Sequence, residues 1–183
     1  LQQLLDAHHQ HYLIYDTGST DDTIAVTQKL FADYGVTHGY IVQEPFVDFA
    51  TSRNRALDLA EQYFPHACFM LMPDAEWELN NYKGLIDFCV AEQHAATPAY
   101  FMRTLDEDID YRTGRLIRCR TNKRFVGVVH EELLHISASA PQDVFFFWRN
   151  TKYGQEKTYK RISRDVELLL KEYKKDPTNA RTM

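Results

Sequence analysis

The sequence predicts an α/β fold: a mostly parallel sheet flanked by helices, with a helical extension at the C-terminal end. Three observations predict it. Strand-like and helix-like segments alternate through the first half of the chain, the pattern that builds a parallel sheet covered by helices. The run Cys68-Phe69-Met70-Leu71-Met72 is apolar at every position, as in a strand covered on both faces. A charged amphipathic stretch from Tyr159 to Lys175 closes the chain before Asp176-Pro177.

Each element has its own signal. Tyr12-Leu13-Ile14-Tyr15 is a short apolar strand ending at Asp16, and Thr17-Gly18-Ser19-Thr20 is a polar turn. An amphipathic helix follows, with Ile24, Leu30, Phe31 and Tyr34 near one face. Asp21 and Asp22 suit its positive end, and Gly35 is its stop. Tyr40-Ile41-Val42 reads as the next strand. Asp48 is an N-cap candidate for a helix carrying Phe49, Ala56, Leu57, Ala60 and Phe64, which Pro65 ends. The apolar strand Cys68–Met72 runs into Pro73-Asp74-Ala75-Glu76, and a helix is predicted from Tyr82 to Glu92. Beyond about residue 99 the strands shorten: Tyr100–Met102, Leu116-Ile117, Phe125–Val129 and Val144–Trp148, with Thr113-Gly114 as a turn. The tail helix carries Ile162, Val166, Leu169 and Tyr173.

A chain of 183 residues is long enough for one well-buried domain and too short for two large ones. The expected division is a catalytic-type domain over 1–155 and a helical segment over 156–183. The formal net charge of −5 argues against a general nucleic-acid binder, which would be basic. No apolar run is long enough to span a bilayer. Cys68, Cys89 and Cys119 have no CxxC spacing and read as reduced, interior thiols. That usage fits a cytoplasmic protein.

In open α/β sheets, ligands bind beyond the carboxyl ends of the strands. Asp16 and Asp74 each stand just past a predicted strand end, so both belong to that rim. Asp16 can accept hydrogen bonds from a ribose or a base. Gly18 and the hydroxyls of Thr17 and Ser19 permit a tight turn close to a ligand, and they equally suit a capped helix start. Arg53 and Arg55 can reach phosphates through their fork of donors or lie on the helix surface. Asp74 and Glu76, one residue apart after an apolar strand, are costly to hold together without a cation. They form either a hard-metal site or an acidic loop. His130 is a candidate metal ligand or acid–base group, and Glu131 a candidate general base.

The order of these segments carries a resemblance. Tyr15-Asp16-Thr17-Gly18-Ser19-Thr20-Asp21, then Asp48-Phe49-Ala50-Thr51-Ser52-Arg53-Asn54-Arg55-Ala56-Leu57, then Leu71-Met72-Pro73-Asp74-Ala75-Glu76, then Gly127-Val128-Val129-His130-Glu131 resemble glycosyltransferase family 2. The closest pattern is the branch reading DTGST, FAxxRNxAL, a DAD-like motif and GxxHE. The resemblance implies a GT-A fold (Rossmann-like) lacking a counterpart of the family's first strand. It implies an inverting hexosyl transfer from a nucleotide-sugar, most often a UDP-sugar, to a glycan or protein acceptor. It also implies an Mn2+ or Mg2+ ion.

Carried over by position, Asp16, Thr17, Gly18 and Ser19 would hold the nucleoside, and Arg53 would face the base or diphosphate. Asp74 would touch ribose or metal. Glu76 would ligate the metal, with His130 nearby, and Glu131 would deprotonate the acceptor. Glu76 stands where the branch generally has Asp. The tail resembles the lead-in to tetratricopeptide-type helices. The rival readings are a non-catalytic nucleotide- or glycan-binding module of similar fold, a nucleotidyltransferase, and a scaffold acting through the C-terminal helix. No Gly-rich basic phosphate loop, the mark of the second rival, precedes Asp16.

Overall fold

The computed structural model describes residues 1–106, 109–148 and 155–179, apart from the side chains of 155–158. In chain order the elements are α1 (Gln2–Asp6), β1 (His11–Asp16), α2 (Thr23–Asp33), β2 (His38–Gln43), α3 (Phe49–Tyr63), β3 (Phe69–Leu71), β4 (Trp77–Asn80), α4 (Tyr82–Ala91), β5 (Ala99–Asp106), β6 (Ile109–Arg118), β7 (Phe125–Val126), β8 (Glu132–Leu133), β9 (Ala138–Ser139), β10 (Phe145–Trp148) and α5 (Gln155–Lys175).

The fold is mixed α/β with a C-terminal helix. β1, α2 and β2 make the parallel unit that the alternation predicts, in register from His11↔His38 to Asp16↔Gln43. The larger sheet departs from expectation. Its strands run β3-β6-β5-β10-β4, with β9 on β5. Only the β5–β10 and β5–β9 pairings are parallel; β5–β6, β3–β6 and β4–β10 are antiparallel. The expected mostly parallel sheet is therefore corrected to a mainly antiparallel one.

The reason is a long hairpin. Thr113-Gly114, expected as a turn, lies inside β6, and the chain reverses between Asp106 and Ile109. So short a connection forces antiparallel pairing, because parallel neighbours need a crossover of a dozen residues or more. Glu107 and Asp108 lie outside the described residues, as do Ala180 and Arg181 of the tail.

Three further expectations change. The apolar run spans only Phe69–Leu71 as strand, and all three of its residues are half-buried. Cys119 is buried, but Cys89 is only partly so and Cys68 is exposed; all three are free thiols. The strand expected over Phe125–Val129 is confined to Phe125-Val126, paired with β8.

Three apolar clusters hold these pieces. Tyr12, Phe31 and Leu5 pack on the β1–β2 unit. Leu85, Tyr100, Met102, Leu116, Val144 and Phe146 fill the side of the large sheet under α4. Ala50 and Leu57 of α3 pack with Ala99, Ile117, Phe125 and Leu133. α3 is started by Asp48, whose carboxylate accepts from the Thr51 amide at 2.7 Å. The Arg164 guanidinium of α5 lies 4.8 Å and 5.0 Å from the ring centroids of Phe46 and Phe49, so the tail helix touches the approach to α3. Among the described residues no helix is long and apolar enough to cross a membrane.

Candidate functional site

α3 carries Ala50, Arg53 and Leu57 on one face, at helical spacing. Because Ala50 and Leu57 face the core, Arg53 is carried inward with them. There its Nη2 donates to Asp74 Oδ1, and its Nε donates to Glu131 Oε1. Asp74 comes from the segment between β3 and β4, and Glu131 from the residue before β8. A second guanidinium, Arg115 of β6, completes the group. Its Nη2 lies 3.4 Å from Asp74 Oδ2, and its Nη1 lies 3.6 Å from Glu131 Oε1.

Burial makes this quartet matter. Side-chain exposure is 18% for Arg53, 8% for Arg115, 7% for Glu131 and 25% for Asp74. Charges this far from water are tolerated only when paired, and here two positive charges meet two negative ones. Aromatic rings complete the walls. Arg53 lies 5.6 Å from the Phe125 ring centroid, and Arg115 lies 5.5 Å from the same ring and 5.2 Å from Trp77, within cation–π range. The two arginines respond differently. Burial works against the Arg53 charge, but the combined carboxylates of Asp74 and Glu131 outweigh it and raise its pKa. For Arg115, burial and then the neighbouring Arg53 charge prevail, and its pKa is lowered.

The scaffold around the quartet is fixed by backbone contacts. Asn54 accepts from the Phe125 amide at 2.7 Å and donates to the Phe125 carbonyl at 3.0 Å. One side chain thus serves both backbone groups of Phe125, as a neighbouring strand would. The Phe49 amide donates to the Val128 carbonyl at 3.2 Å. These bonds tie α3 to the segment leading to Glu131. Arg115 is placed by a slip in the β5–β6 register: Tyr100 pairs with Leu116 and Phe101 with Gly114, so Arg115 is the extra residue of a bulge. Bulges re-aim side chains in this way. A Cβ on Gly114 would stand 2.3 Å from Ile136 Cδ1 and 3.3 Å from Leu133 Cβ, so the bulge's neighbour must be small for that segment to close over it.

Asp16 forms a separate constellation. It is 6% exposed. Its carboxylate accepts from the Gly18 amide at 3.2 Å, the Ser19 amide at 3.1 Å, the Ser19 hydroxyl and Gln43 Nε2 at 3.3 Å. Gly18 has φ +112°, a conformation that L side chains rarely adopt. The Ser19 hydroxyl most of all, with Gln43 and the two amides, lowers the Asp16 pKa against the opposing effect of burial. None of these bonds reaches the quartet. Asp16, Thr17, Gly18 and Ser19 thus make a self-contained turn, with Gly18 and Ser19 exposed. Arg55 faces this side: it binds Glu44 through Nη2 at 2.7 Å, while the Glu44 amide donates to the Asp16 carbonyl at 3.1 Å. α3 therefore presents one arginine to each constellation.

The sequence-predicted site is thus divided. Arg53, Asp74 and Glu131 converge; Asp16, Thr17, Gly18 and Ser19 sit together elsewhere. Glu76 is half-buried beyond Asp74. Its carboxylate is among those that raise the Tyr111 pKa, after burial, Asp106 and Asp74. His130 is exposed and has φ 53°. Among the described residues no group of three or more His, Cys, Asp or Glu side chains is placed to hold a metal ion.

Arg115, Trp77 and the Asn54 clamp are the residues that sequence reasoning missed. Arg115 had a usable signal, a charge directly before buried Leu116 and Ile117 in a strand. No family model matches this chain, and no curated protein matches it.

Proposed function

We propose that this protein is a glycosyltransferase of the GT-A type, moving a hexose from a nucleotide-sugar, with a UDP-sugar the first candidate, to a hydroxyl of a glycan or protein acceptor. The observation that supports it is the convergence of Arg53, Asp74 and Glu131, drawn from three of the four motifs that resemble glycosyltransferase family 2. In this reading Arg53 holds the diphosphate. The turn from Asp16 to Ser19 takes the nucleoside, and Glu131 accepts the acceptor's proton as the hydroxyl attacks the anomeric carbon. The product is inverted.

Asp74, Glu76 and His130 carry donor atoms that suit Mn2+ or Mg2+, and such an ion, when bound, offsets the charge of a departing diphosphate. In the structure the Asp74 carboxylate is engaged by both arginines, so metal binding requires it to exchange partners. The free thiols fit a reducing compartment such as the cytoplasm.

Calorimetric titration with UDP, with and without Mn2+, tests the reading. Metal-dependent binding that Glu76→Ala abolishes, together with turnover of a UDP-hexose, is the expected result. A folded sample that binds none of UDP, GDP and dTDP under either condition sinks it.

One observation favours a second reading, a non-catalytic nucleotide- or glycan-binding module. Both acids of the quartet are held by guanidiniums, so the Glu131 oxygen that meets Arg53 is already occupied and is not open to an acceptor hydroxyl. Nucleotide binding without transfer or donor hydrolysis would select that reading.

A further inference from the structure

Arg115 brings donors into the interior that no acceptor among the described residues meets at hydrogen-bond distance. The residue is 7% exposed. Its Nε and Nη1 are buried without a hydrogen-bond partner. Nη1 has only the 3.6 Å approach to Glu131, and Nη2 a 3.4 Å contact with Asp74, both beyond ordinary N–H···O distances. Buried polar groups are nearly always satisfied, because an unmade bond costs the full desolvation of the donor. The position is also built on purpose: a bulge in β6 aims Arg115, Gly114 beside it accommodates the closing segment, and Trp77 and Phe125 wall it in.

The geometry constrains what meets those donors. Arg53 and Arg115 approach the same two carboxylates, so an acidic oxygen already sits against each guanidinium. With the four charges balanced, an anion can meet those donors only by taking the place of one of the two carboxylates. Asp74 touches both arginines and is the most exposed of the four, at 25%, so the way in lies over Asp74. Because the four charges cancel, drawing Asp74 aside leaves a net positive charge on Arg53, Arg115 and Glu131 together. Nε and Nη1 lie on different sides of the guanidinium plane's outline. A carboxylate, with two oxygens on one carbon, cannot serve both while Nη2 is also engaged. A diphosphate offers oxygens on two tetrahedral centres and can.

We propose that Arg115 and Arg53 form a buried two-guanidinium cradle for the diphosphate of the nucleotide donor, with Arg115 supplying Nε–H and Nη1–H and Asp74 as the group displaced. This rests on the nucleotide-sugar reading, and deepens it by assigning the diphosphate to a residue outside the recognised motifs.

The test is arginine side-chain 15N NMR on the wild-type protein, with the Arg115 Nε–H resonance assigned by through-bond correlation. The protein is titrated separately with inorganic pyrophosphate, UDP and uridine. The Arg115 resonance is expected to shift with pyrophosphate and UDP and to stay in place with uridine. In parallel, Arg115→Lys, which keeps the charge but loses the fork, is expected to weaken UDP and pyrophosphate about tenfold or more while leaving uridine binding unchanged. The wild-type titration does not depend on how well that variant folds. If UDP binds and the Arg115 resonance does not move, the cradle is overturned and the nucleotide-sugar reading stands. If pyrophosphate shifts Arg115 but no nucleotide binds, the nucleotide reading falls, and the cradle falls with it as a donor site. If folded protein binds neither, both are overturned.

Discussion

Asp16 and Asp74 occupy equivalent places in the chain. Asp16 ends β1 and Asp74 lies just beyond β3, and both are expected on the same ligand-binding rim. Their surroundings differ in kind. Asp16 is satisfied by its own loop: two amides and a hydroxyl within three residues, plus Gln43 from the paired strand. Asp74 is satisfied by two guanidiniums 21 and 41 residues away in sequence. The first carboxylate is held by hydrogen bonds that a local turn supplies wherever it forms. The second is held by charges that only the assembled fold brings near. A locally satisfied acid can be disturbed cheaply, whereas an acid in a buried quartet takes its neighbours with it.

The largest effect expected from this contrast is at Arg53. Arg53→Met leaves Asp74 and Glu131 with only the longer Arg115 contacts, and breaking a buried pair costs about 3–5 kcal/mol. Urea denaturation measures it, and a loss no larger than that of an Asp16 variant would erase the distinction between the two sites. Next is Asn54→Ala, which strips both backbone groups of Phe125 of their partner and is expected to cost about 2 kcal/mol. It should also loosen the Glu131 segment, visible as faster amide exchange over residues 125–131.

Asp16→Asn comes third, at about 1–2 kcal/mol near neutral pH, and it has a pH signature. The folded pKa of Asp16 is lowered, by the Ser19 hydroxyl first. Its stabilisation is therefore complete above its unfolded-state pKa of about 4 and is lost as pH falls through the lower folded value. Wild type and variant should converge in that acid range, and a difference that persists there would mean that the Asp16 charge is not what matters. The smallest effect is at Arg55, two residues from Arg53 but turned outward, with 45% of its side chain exposed. Arg55→Ala should lower the urea midpoint least of the four, and the small change should shrink further with added salt. A larger loss would show that the Glu44 link to the Asp16 strand couples the two regions.

Much of the frame was readable before any coordinates. The capped helix from Asp48, the β1–α2–β2 unit and the tail helix follow from periodicity, N-caps and stop residues, because those signals act within a few residues of chain. The inward turn of Arg53 was not readable, because its spacing from Ala50 and Leu57 points inward only once both are seen to face the core. The errors have a common source. Thr113-Gly114 was read as a turn because glycine after a polar residue usually marks one, yet here the glycine serves close packing against Leu133 and Ile136. Local composition cannot distinguish those uses.

By itself, then, the sequence determined which residues could bear charge at strand ends, and left Arg53 open between a ligand-facing and a surface position. Tertiary structure decided that the larger sheet is mainly antiparallel, that Asp16 and the quartet are separate constellations, and that Arg115 belongs to the second. The physical reason is range. Caps, turns and helical faces are set by neighbours along the chain. Strand pairing, a bulge that re-aims one arginine, and the matching of two buried guanidiniums to two carboxylates depend on segments tens of residues apart, and exist only once the fold has closed.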